Sequence, residues 1–209
     1  MSDRTNHSFG ASPARTYKAG NTAKQNNSDA NMTNHSMERI NELKWALTDQ
    51  VMDLTTATEV FRDYLKSSSF DPERSKGEGV IRMCAGYAIL NLAKLWETLI
   101  HYGKEINDLP ESLKAECHAL KKDLEDKKVY QFRSKYLAHP KDKDIGKPAK
   151  ATDLQHRLES ITGKTIGDFI DFCHWICPAS EEPKEGSVVG IVVEVREYCR
   201  SLTGPTSRP

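Results

Sequence analysis

Residues 78–106 read EGVIRMCAGYAILNLAKLWETLIHYGKEI, and the fold class turns on them. Ile81, Ala85, Ala88, Leu92, Leu95, Leu99 and Tyr102 recur at alternating steps of four and three. That period puts them on one face of an α-helix. Met83, Ile89, Leu90, Trp96 and Ile100 occupy its other faces. A helix that is apolar on several sides is covered on several sides, so this segment is expected to be the central helix of a bundle.

Upstream, Ser36 is a good N-cap, with Glu38 and Arg39 in the first turn that follows. Ile40, Leu43, Leu47, Val51, Leu54, Thr58, Phe61 and Leu65 then form a single stripe, which predicts a helix over 37–66. The run Ser67-Ser68-Ser69-Phe70-Asp71-Pro72 ends it. Residues 1–36 are rich in Asn, Ser, Thr, Gly and Ala and are expected to be a disordered arm. Within it Thr5-Asn6-His7-Ser8 recurs as Thr33-Asn34-His35-Ser36, to which no metal-binding role is given.

Downstream, Asn107-Asp108-Leu109-Pro110 is a turn that opens a helix carrying Leu113, Cys117, Leu120 and Leu124. A polar loop, 141–148, precedes a helix through Leu154, Leu158 and Ile161. Thr162-Gly163 interrupts this helix before Ile166, Phe169, Ile170, Cys173 and Ile176 resume the pattern. Pro178 to Gly186 reads as a linker. Val188 to Leu202 has the valines of a strand but the spacing of a helix, and helix is preferred because no partner strand is evident. The expected architecture is all-α, an antiparallel bundle of four to five helices. The division is an arm over 1–36, a bundle over 37–178, and a linker with a short C-terminal helix and tail over 179–209.

Thirty basic and thirty acidic side chains cancel, so no global field draws the chain to nucleic acid or an anionic membrane. No apolar run approaches the roughly 20 residues of a spanning helix, and the first residues lack a signal-peptide pattern. Five cysteines without framework spacing point to reduced thiols in a cytoplasm.

The chemistry is concentrated in residues 129–140, VYQFRSKYLAHP. Val129, Phe132, Tyr136 and Leu137 give an apolar helical face that also bears Arg133, Ser134 and Lys135. Pro140 disfavours helical dihedrals at His139, so the helix is expected to end near that histidine. Histidine moves protons near neutral pH, and arginine offers a permanently charged planar fork to phosphate oxygens. Together they suit metal-independent RNA cleavage, in which His139 transfers a proton and Arg133 neutralises charge at phosphorus. Residues 121–150 hold ten basic and five acidic side chains, a net of about +5, with Lys128, Lys141 and Lys143 as candidate RNA contacts. The alternative is an exposed basic face on a helix that a histidine caps. Six positions apart, Arg133 and His139 stand about 120° from sharing a helical face. A distorted last turn, or a second copy of the chain, would bring them together.

The run Phe132-Arg133-Ser134-Lys135-Tyr136-Leu137-Ala138-His139-Pro140 resembles the signature of the HEPN superfamily (higher eukaryotes and prokaryotes nucleotide-binding domains), closest to its abortive-infection members. The resemblance covers residues 37–177. It implies an all-α bundle, metal-independent endoribonuclease activity, and a homodimer with a composite active site. It also implies a role in phage defence or a toxin–antitoxin system, with RNA as substrate and an antitoxin or regulatory protein as partner. Carried over by residue, Arg133 and His139 are catalytic and Ser134 is the polar residue after the arginine. Many members have Asn or Asp there, so serine is a departure. Other members are non-catalytic modules that bind nucleotide, RNA or protein, which is the alternative function. No cofactor, metal or membrane is implied.

Glu97, on the central helix, has two readings. It orients Arg133 or His139, or it pairs locally with Lys94 or His101. Lys135 is either a phosphate contact or an ordinary exposed lysine, and Tyr136 belongs to the apolar face. Cys173 and Cys177, at i and i+4, have the spacing of half a zinc site, for which no second pair has matching spacing and Cys117-His118 is the only candidate, or are buried thiols on an apolar stripe. No metal is assigned.

Overall fold

A computed structural model describes the backbone of residues 22–68, 70–71, 75–133, 151–179, 186–205 and 208, and side chains from residue 35 onward within these except at 75, 151 and 154. The described elements are all helical: α1 (Thr22–Lys66), α2 (Ser75–His101), α3 (Gly103–Asn107), α4 (Glu111–Asp126), α5 (Val129–Phe132), α6 (Ala151–Thr162), α7 (Ile166–Ile176) and α8 (Val188–Thr203). The chain is a helical bundle. Residues 1–35 form one unit and 36–209 another. Most of the expected arm lies outside the described residues. The helical backbone nevertheless reaches back past Ser36 to Thr22, a stretch that begins with the good helix formers Ala23, Lys24 and Gln25.

The α1 stripe is the core face. Leu43, Leu47, Leu54, Thr58 and Phe61 are buried, with Ile40, Val51 and Leu65 packed at its margins. Four contacts set α1 against α2 and α3. Arg39 Nε and Nη2 donate to the Glu105 carboxylate at 2.6 and 3.2 Å, and Nη2 also reaches the His101 carbonyl at 3.1 Å. Tyr87 donates to Asp53 at 2.9 Å, and Lys94 approaches the same carboxylate at 3.5 Å. Early α1 thus meets late α2, and the two run antiparallel. The guanidinium of Arg39 holds the Glu105 carboxyl below the usual range.

Helix α2 is central, as its pattern requires: it packs on α3, α4, α5 and α6. Ala85, Ala88, Ile89, Leu92, Leu95 and Leu99 are buried. Met83 and Ile100 face solvent instead, so burial on several sides does not extend to theirs. The expected continuation to Ile106 is broken at Tyr102 (φ −100°, ψ 28°), beside Gly103, whose low helix propensity eases the bend.

The break at Thr162-Gly163 is present. Gly163 has φ +87°, and a Cβ there would meet the Asp168 Cβ at 2.0 Å. Thr165 and Asp168 form a reciprocal capping box that starts α7. Phe61 meets Phe169 with centroids 4.5 Å apart, and Lys127 lies 4.9 Å from the Trp175 ring centre. Helix α8 starts at an N-cap, Ser187, whose hydroxyl accepts from Gly190 N at 3.0 Å. It buries Val188, Val189, Ile191, Val192 and Val195 against α4 and α7, so the last helix is part of the core. Among the described residues no helix is long and apolar enough to cross a membrane.

Candidate functional site around Arg133

Helix α4 ends at Asp126, and the chain turns through Lys128, which adopts φ 56°, ψ 33°. A lysine in the left-handed region is uncommon and costs about 1–2 kcal/mol. The turn redirects the next residues so that Val129 and Phe132, both buried, dock on the central helix. Their burial, at roughly 1.5–3 kcal/mol for a large apolar side chain, outweighs that strain. Arg133 follows with helical dihedrals (φ −55°, ψ −51°).

This docking sets two residues of α5 and its cap against two neighbours on α2. Arg133 Nη1 forms an ion pair with Glu97 Oε2, and the Tyr130 ring lies 4.8 Å from that of Trp96 at 36°. Tyr130 and Arg133 are three positions apart and so share a face. Trp96 is held from behind by α4, its indole N–H donating to Glu125 Oε1 at 3.1 Å. The Arg133–Glu97 contact is an ion pair, and Nη1 is buried with no hydrogen-bond acceptor among the described residues. Both side chains are about a third or more exposed, so the pair contributes about 0.2–1 kcal/mol. Its effect is to fix where the guanidinium stands.

Of Glu97's two readings, the long-range partner is the one seen. Lys94 pairs with Asp53, and the His101 ring meets that of Tyr102. His139, Ser134, Lys135, Tyr136, Lys141 and Lys143 lie outside the described residues. Of the basic run, Lys128 is exposed, Lys121 lies 4.0 Å from Glu125, and Lys127 covers Trp175. Lys127, Lys128 and Arg157 of α6 line a notch of about 40 Å³ beside Phe132. Sequence reasoning passed over Arg157, Trp96 and Tyr130. Tyr130's spacing of three from Arg133 was the available signal for the tyrosine.

All five cysteines are unpaired and buried. Burial pushes the Cys117 and Cys173 thiols up to about 12 and Cys199 to about 11. Cys173 and Cys177 sit in the hydrophobic core, and among the described residues no group of three or more His, Cys, Asp or Glu could hold a metal ion.

No family model matches the chain, and no curated protein matches it. A solved structure is similar in fold: the integron cassette protein Vpc_cass2, from the mobile metagenome of V. paracholerae. It superposes with a TM-score of 0.62 over 78% of this chain and 96% of its own, at 23% identity. At that identity the likeness is one of fold.

Proposed function

We propose that this protein is a metal-independent endoribonuclease of the HEPN kind, acting in phage defence or a toxin–antitoxin system as a homodimer in the cytoplasm. The observation that carries the reading is Arg133, held on the central helix by Glu97 at the head of the Arg-Ser-Lys-Tyr-Leu-Ala-His motif. In the reaction, the RNA 2′-OH attacks the adjacent phosphorus and the 5′-oxygen leaves, giving a 2′,3′-cyclic phosphate and a 5′-hydroxyl. His139 takes the 2′-OH proton or protonates the leaving oxygen, and Arg133 offsets charge on the pentavalent phosphorus. Lys128, Lys135, Lys141 and Lys143 serve the backbone as phosphate contacts.

A second reading has its own support. Glu97 already neutralises Arg133, and Ser134 stands where many family members have Asn or Asp, which suits a non-catalytic module that binds nucleotide, RNA or protein. Incubating the purified protein with labelled structured RNA in EDTA separates the two. Shortened products support the nuclease, whereas a retarded but intact RNA supports the binding module. Neither product nor complex counts against both.

A further inference from the structure

Tyr130 stands 42% exposed on α5, three positions before Arg133, whose backbone N–H donates to the Tyr130 carbonyl. The two side chains therefore leave the same face of one turn, about 5–6 Å apart at Cβ. One neighbour backs the tyrosine ring: Trp96, with centroids 4.8 Å apart and planes tilted by 36°. Trp96 is itself held, its indole N–H donating to Glu125 Oε1 at 3.1 Å, and Lys121 lies 4.0 Å from the same oxygen. Val129 and Phe132 are buried and fix the turn that carries Tyr130.

A single exposed aromatic side chain is common and needs no special cause. Docking of α5 on α2 accounts for the side of the ring that meets Trp96, but it gains nothing from the surface left to solvent. Beside a guanidinium placed for phosphate, that surface has a use. Glu97 offsets the charge of Arg133, so the pair presents no net charge to an RNA backbone. A stacked base needs none, because every base has a π-face and aromatic rings hold single strands whatever their sequence. The span from Tyr130 to Arg133 is comparable with that from a base across its ribose to the phosphate.

We propose that Tyr130, backed by Trp96, is a stacking platform for one unpaired nucleobase of the RNA whose phosphate meets Arg133. The proposal rests on the reading of this site as one that acts on RNA, and it adds the substrate class: single-stranded or looped RNA, taken with little regard to sequence. Bases within a duplex have both faces covered by their neighbours and cannot reach the ring, whereas bases in loops and single strands can be splayed onto it. The backing by Trp96 matters because a ring already held loses little freedom when a base arrives.

The test measures binding of fluorescein-labelled 2′-O-methyl oligouridine to the native protein, Tyr130→Phe and Tyr130→Leu by anisotropy in EDTA, with thermal midpoints to confirm folding. Without a free 2′-OH this strand cannot be cleaved by the proposed reaction, so binding is read apart from cleavage. The single strand should bind at least about tenfold tighter than the same strand annealed to its complement. Tyr130→Phe should keep that affinity, and Tyr130→Leu should weaken it about tenfold, the loss of one stacked base. A 5-iodouridine in the strand should photocrosslink to Tyr130, a readout that needs no variant. Equal binding by Tyr130→Leu and the native protein, equal binding of duplex and single strand, or a crosslink confined to other residues overturns the platform. Cleavage of ordinary RNA at equal rates by Tyr130→Leu and the native protein also overturns it, while leaving the nuclease standing. Tyr130-dependent binding in a protein that does not cleave ordinary RNA supports the platform and removes the nuclease. No binding by the native protein overturns the platform, and if ordinary RNA is not cleaved either, the RNA reading falls with it.

Discussion

At the scale of single residues, Lys128 and Glu97 decide where Arg133 stands. The left-handed dihedrals of Lys128 start the turn that carries α5 onto α2, and glycine reaches them without the Cβ conflict. Lys128→Gly should therefore leave the fold intact and raise stability by about 0.5–1 kcal/mol, the relieved strain less glycine's extra freedom when unfolded. A urea midpoint that falls would mean that the turn is not strained. Nothing in the sequence marks Lys128 for this role, because lysine has no preference for positive φ; the conformation is imposed by what Val129 and Phe132 bury. Glu97's partner was one of two readings that the sequence left open, for a related reason. Lys94 and His101 are its neighbours along the helix, whereas Arg133 reaches it only through that turn.

At the scale of elements, stripes and caps were legible and bends were not. Every member of the α1 stripe from Ile40 to Leu65 is buried or packed on the core, because a period of three and four is a direct consequence of 3.6 residues per turn. Thr162-Gly163 was also readable, since glycine there serves a backbone that needs positive φ. The bend at Tyr102 depends on tertiary contacts that local pattern does not record. Gly163→Ala supplies the sharpest test of an element boundary. Its new methyl would collide with Asp168 in a left-handed backbone, and the loss should be about 2–4 kcal/mol. Chemical denaturation measures it, and a change under about 0.5 kcal/mol would show that the α6–α7 turn is not held as described.

At the scale of the whole molecule, the core contains five thiols that the proposed chemistry does not use. None should react with a thiol reagent in the native protein, and all five should after denaturation. The folded protein holds Cys117 and Cys173 near 12 and Cys199 near 11, against roughly 8.5 in an unfolded chain. Above that value the unfolded chain gives up protons that the folded one keeps, so stability falls as pH rises. Urea midpoints should be lower at pH 9.5 than at pH 7.5, and less so in a Cys117→Ala, Cys173→Ala double variant. The fold class and the motif were readable because helical periodicity and residue identity are local. His139 lies outside the described residues, and no spacing rule places it against Arg133. The proposed function is tested most directly by single-turnover cleavage of end-labelled RNA in EDTA, by the native protein, Arg133→Ala, His139→Ala and Glu97→Gln, with the termini identified. The account predicts 2′,3′-cyclic phosphate and 5′-hydroxyl ends, a loss of about a hundredfold or more in the first two variants, and a smaller loss in Glu97→Gln. No cleavage by the native protein, or cleavage that survives Arg133→Ala and His139→Ala, would contradict it.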